Sequence, residues 1–417
     1  MRHPRPPVPP VARVFAFCLA CLAGLLLPAR LPAAASLPRI LLEASVPIVP
    51  DPKVPCRIQL LPADSPATPA NPAAFLPATV SIHGASSQAY PKKSYRLTLT
   101  QPASWLGLPP SSQWVLNAAF IDRSLMRHKL SYDLFRSLAT PQAPRPAAQS
   151  RFVNLSLNGA DQGVYLLMER VDRTLLGLRR FDSNAPSHAC LYKAVDHAAN
   201  FGSPGHDGYE QREPDPLALP YWRPLEEFNR FVSRSPDAAF LHPVTGIVAR
   251  LDLDSAIDFH LLVLLTSNMD GITKNFLLAR DAAPASDPKA APRFFFVPWD
   301  YDATFGRNWN ATPVGPDAWL SNHLFDRLHA DPAFRRRFAT RWQELRKQPL
   351  ATATLHRLMD DNVRTLGDAA RRNEERWRDA RGYYPDALTF AEDMAQMKEW
   401  VVTRGQWLDA EIERRAR

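Results

Sequence analysis

Asn268-Met269-Asp270-Gly271-Ile272-Thr273-Lys274-Asn275, followed downstream by Trp299-Asp300-Tyr301-Asp302-Ala303-Thr304-Phe305-Gly306, is the pair of segments on which the reading of this chain turns. The first lies between a long apolar helical pattern and the strand-like run Phe276-Leu277-Leu278-Ala279; the second follows Arg293-Phe294-Phe295-Phe296-Val297. A loop pinned between two buried elements holds its polar side chains at fixed places. An Asp five residues before an Asn is a spacing used in phosphoryl transfer: the acid orients an attacking hydroxyl, the amide binds metal, and a later Asp holds that metal against the phosphates. Asp300 and Asp302 are one residue apart, so on an extended chain both carboxylates point to one face unless the segment turns between them. Hard cations such as Mg2+ or Mn2+ take carboxylate and carboxamide oxygens. Taken alone, the first segment equally describes a turn bent at Asp270-Gly271 with Asn275 as a cap, so its neighbours decide.

Upstream, Val80-Ser81-Ile82-His83 reads as a strand, Gly84-Ala85-Ser86-Ser87 as a small-residue turn, and Lys93-Ser94-Tyr95-Arg96-Leu97-Thr98-Leu99 alternates at period two. Such a turn lets backbone amides approach phosphate oxygens, and a lysine beside it reaches them as a point charge. Trp114-Val115-Leu116-Asn117 adds a strand. A helix capped by Asp122 or Ser124 then runs to about Leu138 with Leu125, Met126, Leu130, Leu134 and Leu138 on one face. Arg127 lies one turn from Arg123 on it, Lys129 points away from both, and Asp133 is the helix's only acid beyond the cap. Phe152 to Leu157, the turn Asn158-Gly159, and Gly163 to Met168 form the clearest hairpin, whose second strand ends in the charged run Glu169-Arg170-Val171-Asp172. Leu251 onward reads as a helix capped by Asp252 or Asp254, and Trp319 to the end as about four helical segments.

Less is expected of two stretches. Ile40-Leu41-Leu42 and Ile58 to Leu61, flanking a Pro/Ala-rich region, read as edge strands because proline keeps them from a sheet centre. Ser183 to Pro224, rich in Gly, Pro, Asp and His, reads as a long ordered loop or insertion.

Residues 1–35 read as a signal peptide: Arg2, Arg5 and Arg13 with no acid, the apolar run Val14 to Leu27, then Ala33-Ala34-Ala35 as a small-residue cleavage site. The apolar run falls short of the roughly 20 residues that span a bilayer, and a lipoprotein attachment at Cys21 is disfavoured by Cys18. An exported protein, periplasmic or secreted, with no transmembrane segment after cleavage is the expectation. Loss of the leader lowers the formal charge from +8 to +4. No basic run with interleaved aromatics argues for nucleic acid. Of the four cysteines, Cys56 and Cys190 remain, as a disulfide or as two thiols.

The order of these parts, turn, lysine, helix, hairpin, Asp-to-Asn loop, strand and acid, resembles that of a protein kinase. More specifically the chain resembles the spore-coat protein H (CotH) kinase family. The matching residues are Gly84 to Ser87 with Tyr90-Pro91-Lys92-Lys93-Ser94-Tyr95, Trp114 to Asn117, Leu125-Met126-Arg127-His128-Lys129-Leu130, Leu157-Asn158-Gly159, Gly163 to Glu169, Asn268-Met269-Asp270 with Asn275, and Pro298 to Asp302 with Phe305-Gly306.

The resemblance covers roughly residues 78–346. It implies an α+β, atypical protein-kinase-like two-lobed fold, with an antiparallel-sheet N-lobe and a mostly helical C-lobe. Residues 36–77 would be a Pro/Ala-rich N-terminal segment, 78–175 the nucleotide-binding part, and 176–417 the part carrying the catalytic loop and C-terminal helices. It further implies ATP and Mg2+ or Mn2+ as cofactors and a protein with Ser or Thr acceptors as substrate. Asp270 would be the catalytic aspartate; Asn275, Asp300 and Asp302 the metal ligands, Asp300 foremost. Lys93, with Lys92 as rival, would contact phosphate beside Ser86 and Ser87, with Arg127 and Lys129 as a cationic helix face. Met168, Glu169 and Val171 would form the hinge that meets adenine. His-Arg does not precede Asp270, Phe-Gly does not follow Asp300, and no Ala-Pro-Glu segment is present. The alternatives are a kinase fold without turnover, serving binding or the cell envelope, and a nucleotidyl transferase. A carboxylate glycosidase leaves Lys93 and the hairpin unexplained.

Overall fold

In a computed structural model, residues 36–417 are described apart from 64, 66–73, 186, 285 and 288–291; the signal-peptide expectation, with Cys18 and Cys21, lies outside the described residues. Seven strands among them close into a barrel: β1 (Arg39–Glu43), β2 (Val54–Leu61), β3 (Leu76–His83), β4 (Ser94–Ala103), β5 (Ser111–Asn117), β6 (Ser150–Leu157) and β7 (Ala160–Glu169), in the order β1-β2-β3-β4-β5-β7-β6. Neighbours are antiparallel except at the closure, where β1 runs parallel to β6 from Arg39 opposite Asn154 to Leu42 opposite Leu157. The two runs read as edge strands are therefore interior members of a ring. Closure removes edges altogether, and the prolines sit at strand ends or where the ladder permits them.

The period-two pattern does its expected work. On β4, Tyr95, Leu97 and Leu99 are buried inside the barrel with Trp114 and Leu116 of β5 and Tyr165 and Leu167 of β7. The alternate residues Val115, Val164, Leu166 and Met168 face outward yet are equally buried. They pack with Leu130, Leu134 and Leu138 on and just beyond α1 (Arg127–Ser137), the helical face read from the sequence. The helix begins later than its predicted caps, at Met126, but Asp122 still serves its end by accepting from Arg127 N at 2.8 Å. At the hairpin, Asn158 and Gly159 both have positive φ (50° and 82°), the geometry that Asn-Gly favours.

The supposed loop after Ser183 contains two strands, β8 (Cys190–Ala194) and β9 (Tyr209–Glu213). They join β10 (Phe276–Arg280) and β11 (Phe295–Pro298) in a second, antiparallel sheet, ordered β11-β10-β8-β9. Between these strands come α2 (Arg223–Arg234), the short α3 (Asp237–Phe240) and α4 (Leu253–Thr266); Asp252 caps α4 by accepting from Asp254 N and Ser255 N. Five helices follow among the described residues: α5 (His323–Ala330), α6 (Pro332–Lys347), α7 (Thr352–Leu366), α8 (Asp368–Arg376) and α9 (Phe390–Ala416). The molecule is thus a mixed α+β fold. No described helix is long and apolar enough to cross a membrane.

Cys56 lies in the barrel and Cys190 in the second sheet, and both are free thiols whose pKa values burial raises to about 11. The two-thiol alternative is the one observed.

Candidate functional site

Barrel and second sheet face each other across a cleft of about 450 Å³. Its roof is the outer face of β4 and β5 and the turn after β3. That turn needs glycine: Gly84 has φ +113°, and a Cβ there would stand 2.0 Å from Ser87 Oγ. Ser86 and Ser87 line the cleft beside it. Its floor carries the two quoted segments.

The two segments are stitched together by Asn268, which is fully buried. Its Oδ1 accepts from Gly271 N at 2.9 Å and its Nδ2 donates to Asp300 O at 3.2 Å. Asp270 opens a short 3-10 turn, its carboxylate flanked by Lys274 Nζ at 3.2 Å and His197 Nε2 at 3.7 Å. Asn275 sits at φ 59°, donates its N–H to Ala194 O and accepts from Trp299 N, so it joins β8 to the exit of β11.

Asp300 and Asp302 both reach one point, by a different route from the one the sequence suggests. The strand ends at Pro298, and Asp300 has φ 59°, so the chain turns rather than running extended. Two residues of α1, one helical turn apart, secure this turn. Asp300 N donates to Tyr132 Oη at 2.9 Å, and Tyr301 N donates to His128 Nδ1 at 3.0 Å. Since Nδ1 accepts, the His128 proton resides on Nε2. That buried nitrogen has no hydrogen-bond partner and stands 3.7 Å from Asp300 Oδ1 and 4.0 Å from Asp302 Oδ2. Burial first, then the Asp300 and Asp122 charges, raises the Asp302 pKa well above the carboxylate range; burial lowers that of His128, against the pull of Asp300.

One ligand atom from each of His128, Asp300 and Asp302 lies within 4.8 Å of the others. Two carboxylates repelling each other, with a buried N–H aimed between them, fit a hard divalent cation bound through oxygen. The His128 tautomer leaves it no lone pair for a metal; it positions the carboxylates instead by fixing the turn between them, through the hydrogen bond that Nδ1 accepts from Tyr301 N. Sequence reasoning passed over His128 although it lies in the quoted run 125–130; its signal was spacing, four residues before Tyr132 on the face of α1 turned to the cleft.

The other expected residues divide. Met168 lines the cleft, and Val171 lines a smaller cavity of about 220 Å³ that shares six lining residues with it. Met168 pairs with Val115 of β5 and Ser150 of β6, and Glu169 with Trp114 of β5; Glu169 also donates its N–H to Gln149 O and accepts from Gln149 N through its carboxylate, so the chain is clear of the ladder only from Arg170. Lys92 is buried, and its Nζ donates to Ala118 O (2.8 Å), Val164 O and Asn373 Oδ1 (3.0 Å), with burial bringing its pKa down to about 7. Lys93 Nζ donates to Gln88 O at 2.7 Å. Arg127 is fully buried between Asp122 and Asp393, each at 2.6 Å, and also donates to Thr304 O. Lys129 pairs with Asp133 at 2.6 Å. Lys92 thus lines the cleft together with the acids while its ammonium is held by local oxygens, whereas Lys93, Arg127 and Lys129 are not among the cleft's lining and are each engaged by a local partner.

Comparison with known proteins accords with this geometry. A family model described as CotH kinase protein matches residues 80–408. The chain belongs to the CotH family. Inner spore coat protein H of Bacillus subtilis (strain 168) is similar to this CotH family member, 31% identical over 247 residues. The similarity covers 57% of the present chain and 61% of that relative's length. The matched family region contains the whole acidic cluster, His128 and Asn268 included.

Proposed function

We propose that this protein is an atypical protein kinase, exported after loss of residues 1–35, which transfers the γ-phosphoryl group of ATP to a Ser or Thr hydroxyl of a protein. The barrel with α1 and the second sheet with its helices would then be the two lobes. The observation that carries this reading is the joining of Asp270, Asn275, Asp300 and Asp302 on one cleft floor under a glycine-bearing turn. Within the largely charged smaller cavity, Val115, Val171, Leu191, Leu277 and Trp299 would give a base its apolar contacts.

Asp270, held by Lys274 and His197, accepts the hydroxyl proton of the acceptor as its oxygen bonds to the γ-phosphorus; the bond from that phosphorus to the β–γ bridging oxygen breaks and ADP leaves. Asn275, Asp300 and Asp302 would hold Mg2+ or Mn2+, which supplies charge neutralisation to the phosphates when bound. His128 keeps the two carboxylates oriented.

Incubation of the protein with labelled ATP, metal and an acceptor protein tests the reading. Transfer by the wild type and its loss in Asp270→Ala and Asp300→Ala is the expected result; no transfer by the wild type, or undiminished transfer by both variants, overturns it. The relative named as a spore coat protein gives a second reading its footing, a coat or envelope protein that binds nucleotide without turnover. Acceptor mass separates a third, since a nucleotidyl group adds far more than a phosphoryl group.

A further inference from the structure

Three buried arginines are neutralised by carboxylates, whereas a fourth, Arg404, donates to the carbonyl oxygens of Leu264 and Pro316. Arg127 has Asp122 and Asp393, Arg145 has Asp258 at 2.7 Å, and Arg307 has Asp386 at 2.6 Å and Asp393 at 3.4 Å. The smaller cavity breaks this pattern. Arg96 of β4, Arg170 after β7, Lys193 of β8 and Arg212 of β9 converge on it, against only Asp172 and Glu213. Among the described residues, Arg96, Arg170 and Lys193 form no ion pair. Arg96 meets His83 Nδ1 at 3.5 Å, Arg170 donates to Gln113 Oε1 at 3.2 Å, and Lys193 lies 5.1 Å over the Trp299 ring. Arg212 pairs with Glu210 alone among them.

Gathering like charges in a half-enclosed space is costly unless an opposite charge enters it. The strain is visible in His83, whose pKa falls to about 3 through burial and then through Arg96, Lys193, Arg170 and Arg212. Burial likewise lowers Lys193, against the attraction of Asp300. Three of these cations, Arg96, Lys193 and Arg212, line both cavities, so they stand where the smaller cavity meets the cleft with the acidic floor. That is where the phosphates of a nucleotide would pass if its base occupied the smaller cavity and its terminal phosphate met the acids.

We propose that Arg96, Lys193 and Arg212 form the polyphosphate-binding site of the cleft, in the place assigned by sequence to Lys92 and Lys93. The proposal rests on the nucleotide reading of the cleft but not on turnover. It also accounts for the β8–β9 pair, which carries two of the three cations into the site. A phosphate chain laid across guanidinium and ammonium groups makes charge-assisted hydrogen bonds, and losing one cation weakens binding about tenfold or more.

Calorimetric titration at low salt, without metal, tests this with inorganic tripolyphosphate, ATP and adenosine as probes. Lys193→Met and Arg212→Gln are each expected to weaken tripolyphosphate and ATP about tenfold while leaving adenosine unchanged; Lys93→Met is expected to change none of the three. Arg212 is on the rim, so its variant carries the test if Lys193→Met fails to fold. Absence of tripolyphosphate binding in the wild type, equal binding in both variants, or a loss seen in Lys93→Met instead overturns the proposal. Tripolyphosphate binding with the expected losses but no phosphoryl transfer leaves the proposal standing and removes the kinase reading. Transfer with unaltered KM for ATP in both variants does the reverse.

Discussion

The roof and the floor of the cleft are built on different terms. The roof is barrel: a ring of alternating strands whose interior is apolar, whose outer face packs on α1, and whose contribution to the cleft is shape, a glycine turn and Arg96. The floor is a small sheet whose strands and turns carry Asp270, Asn275, Asp300, Lys193 and Arg212, two of them, Asn275 and Asp300, at positive φ. The closed ring keeps its irregularities to register shifts in the β4–β5 and β6–β7 pairs, and the acidic groups gather on the wall that has strand ends to spare. The floor's acids are nevertheless not independent of the roof, because His128 and Tyr132 reach down from α1 to hold the turn at Asp300. Function and folding meet on that one helix: His128 faces the cleft while Arg127, beside it, is sealed among carboxylates.

The largest effect expected of any single change is on the floor. Asp270→Ala should lower phosphoryl transfer by roughly 10²–10⁴-fold without moving the unfolding midpoint, as initial rates and thermal melts would show; a large loss of stability would instead make Asp270 part of the scaffold. Arg127→Met should do the opposite. Leaving Asp122 buried without its cation, and Asp393 with only the more distant Arg307, should cost about 3–5 kcal/mol of stability, measured by denaturant unfolding, although Arg127 is not among the residues lining the cleft. His128→Gln lies between the two walls: metal affinity should fall about 10–100-fold, read as Mn2+ binding by calorimetry or magnetic resonance, with a smaller change in stability.

The smallest effect tests the roof by pH. Lys92 has its pKa lowered from 10.5 to about 7 in the folded protein, so between those values the unfolded chain binds more protons than the native one. Stability should therefore rise with pH through that window from this group. Unfolding series across it should show the rise in the wild type and a flatter curve in Lys92→Met. A wild-type curve as flat as the variant's would mean that the three oxygens around Nζ keep it charged throughout.

The sequence made the barrel strands legible because Tyr95, Leu97 and Leu99 alternate with polar residues, and Asn158-Gly159 announces its hairpin by the backbone angles it permits. It hid β8 and β9 because Cys190 to Ala194 and Tyr209 to Glu213 are short and set among Gly, Pro, Asp and His, where no period can be counted. The acids of the site were readable from their company of apolar strands. Their partner His128 was not, since a single imidazole at the start of an amphipathic helix looks the same whether it faces core, solvent or ligand. The aim of the lysines was hidden for a related reason: Lys92 and Lys93 are adjacent to the right turn and Lys92 lines the cleft, but the Lys92 ammonium donates to Ala118, Val164 and Asn373, and that of Lys93 to Gln88. Charge near a loop says nothing of which way it points.

The parallel pairing of β1 with β6 separates the stretch that matches from the stretch that folds. The family match opens at residue 80, inside β3, whereas the ring is fastened by residues 39–43. The fastening is reinforced at the hairpin, where Asn158 exchanges two hydrogen bonds with Ala44 and donates its own N–H to Leu42 O. A chain trimmed to the matched boundaries would be a ring with a gap, showing open ladder on β6 and on what remains of β3 to any strand that came by. The strands β1 and β2, from a Pro/Ala-rich part of the chain upstream of the family match, are thus what closes the roof of the cleft.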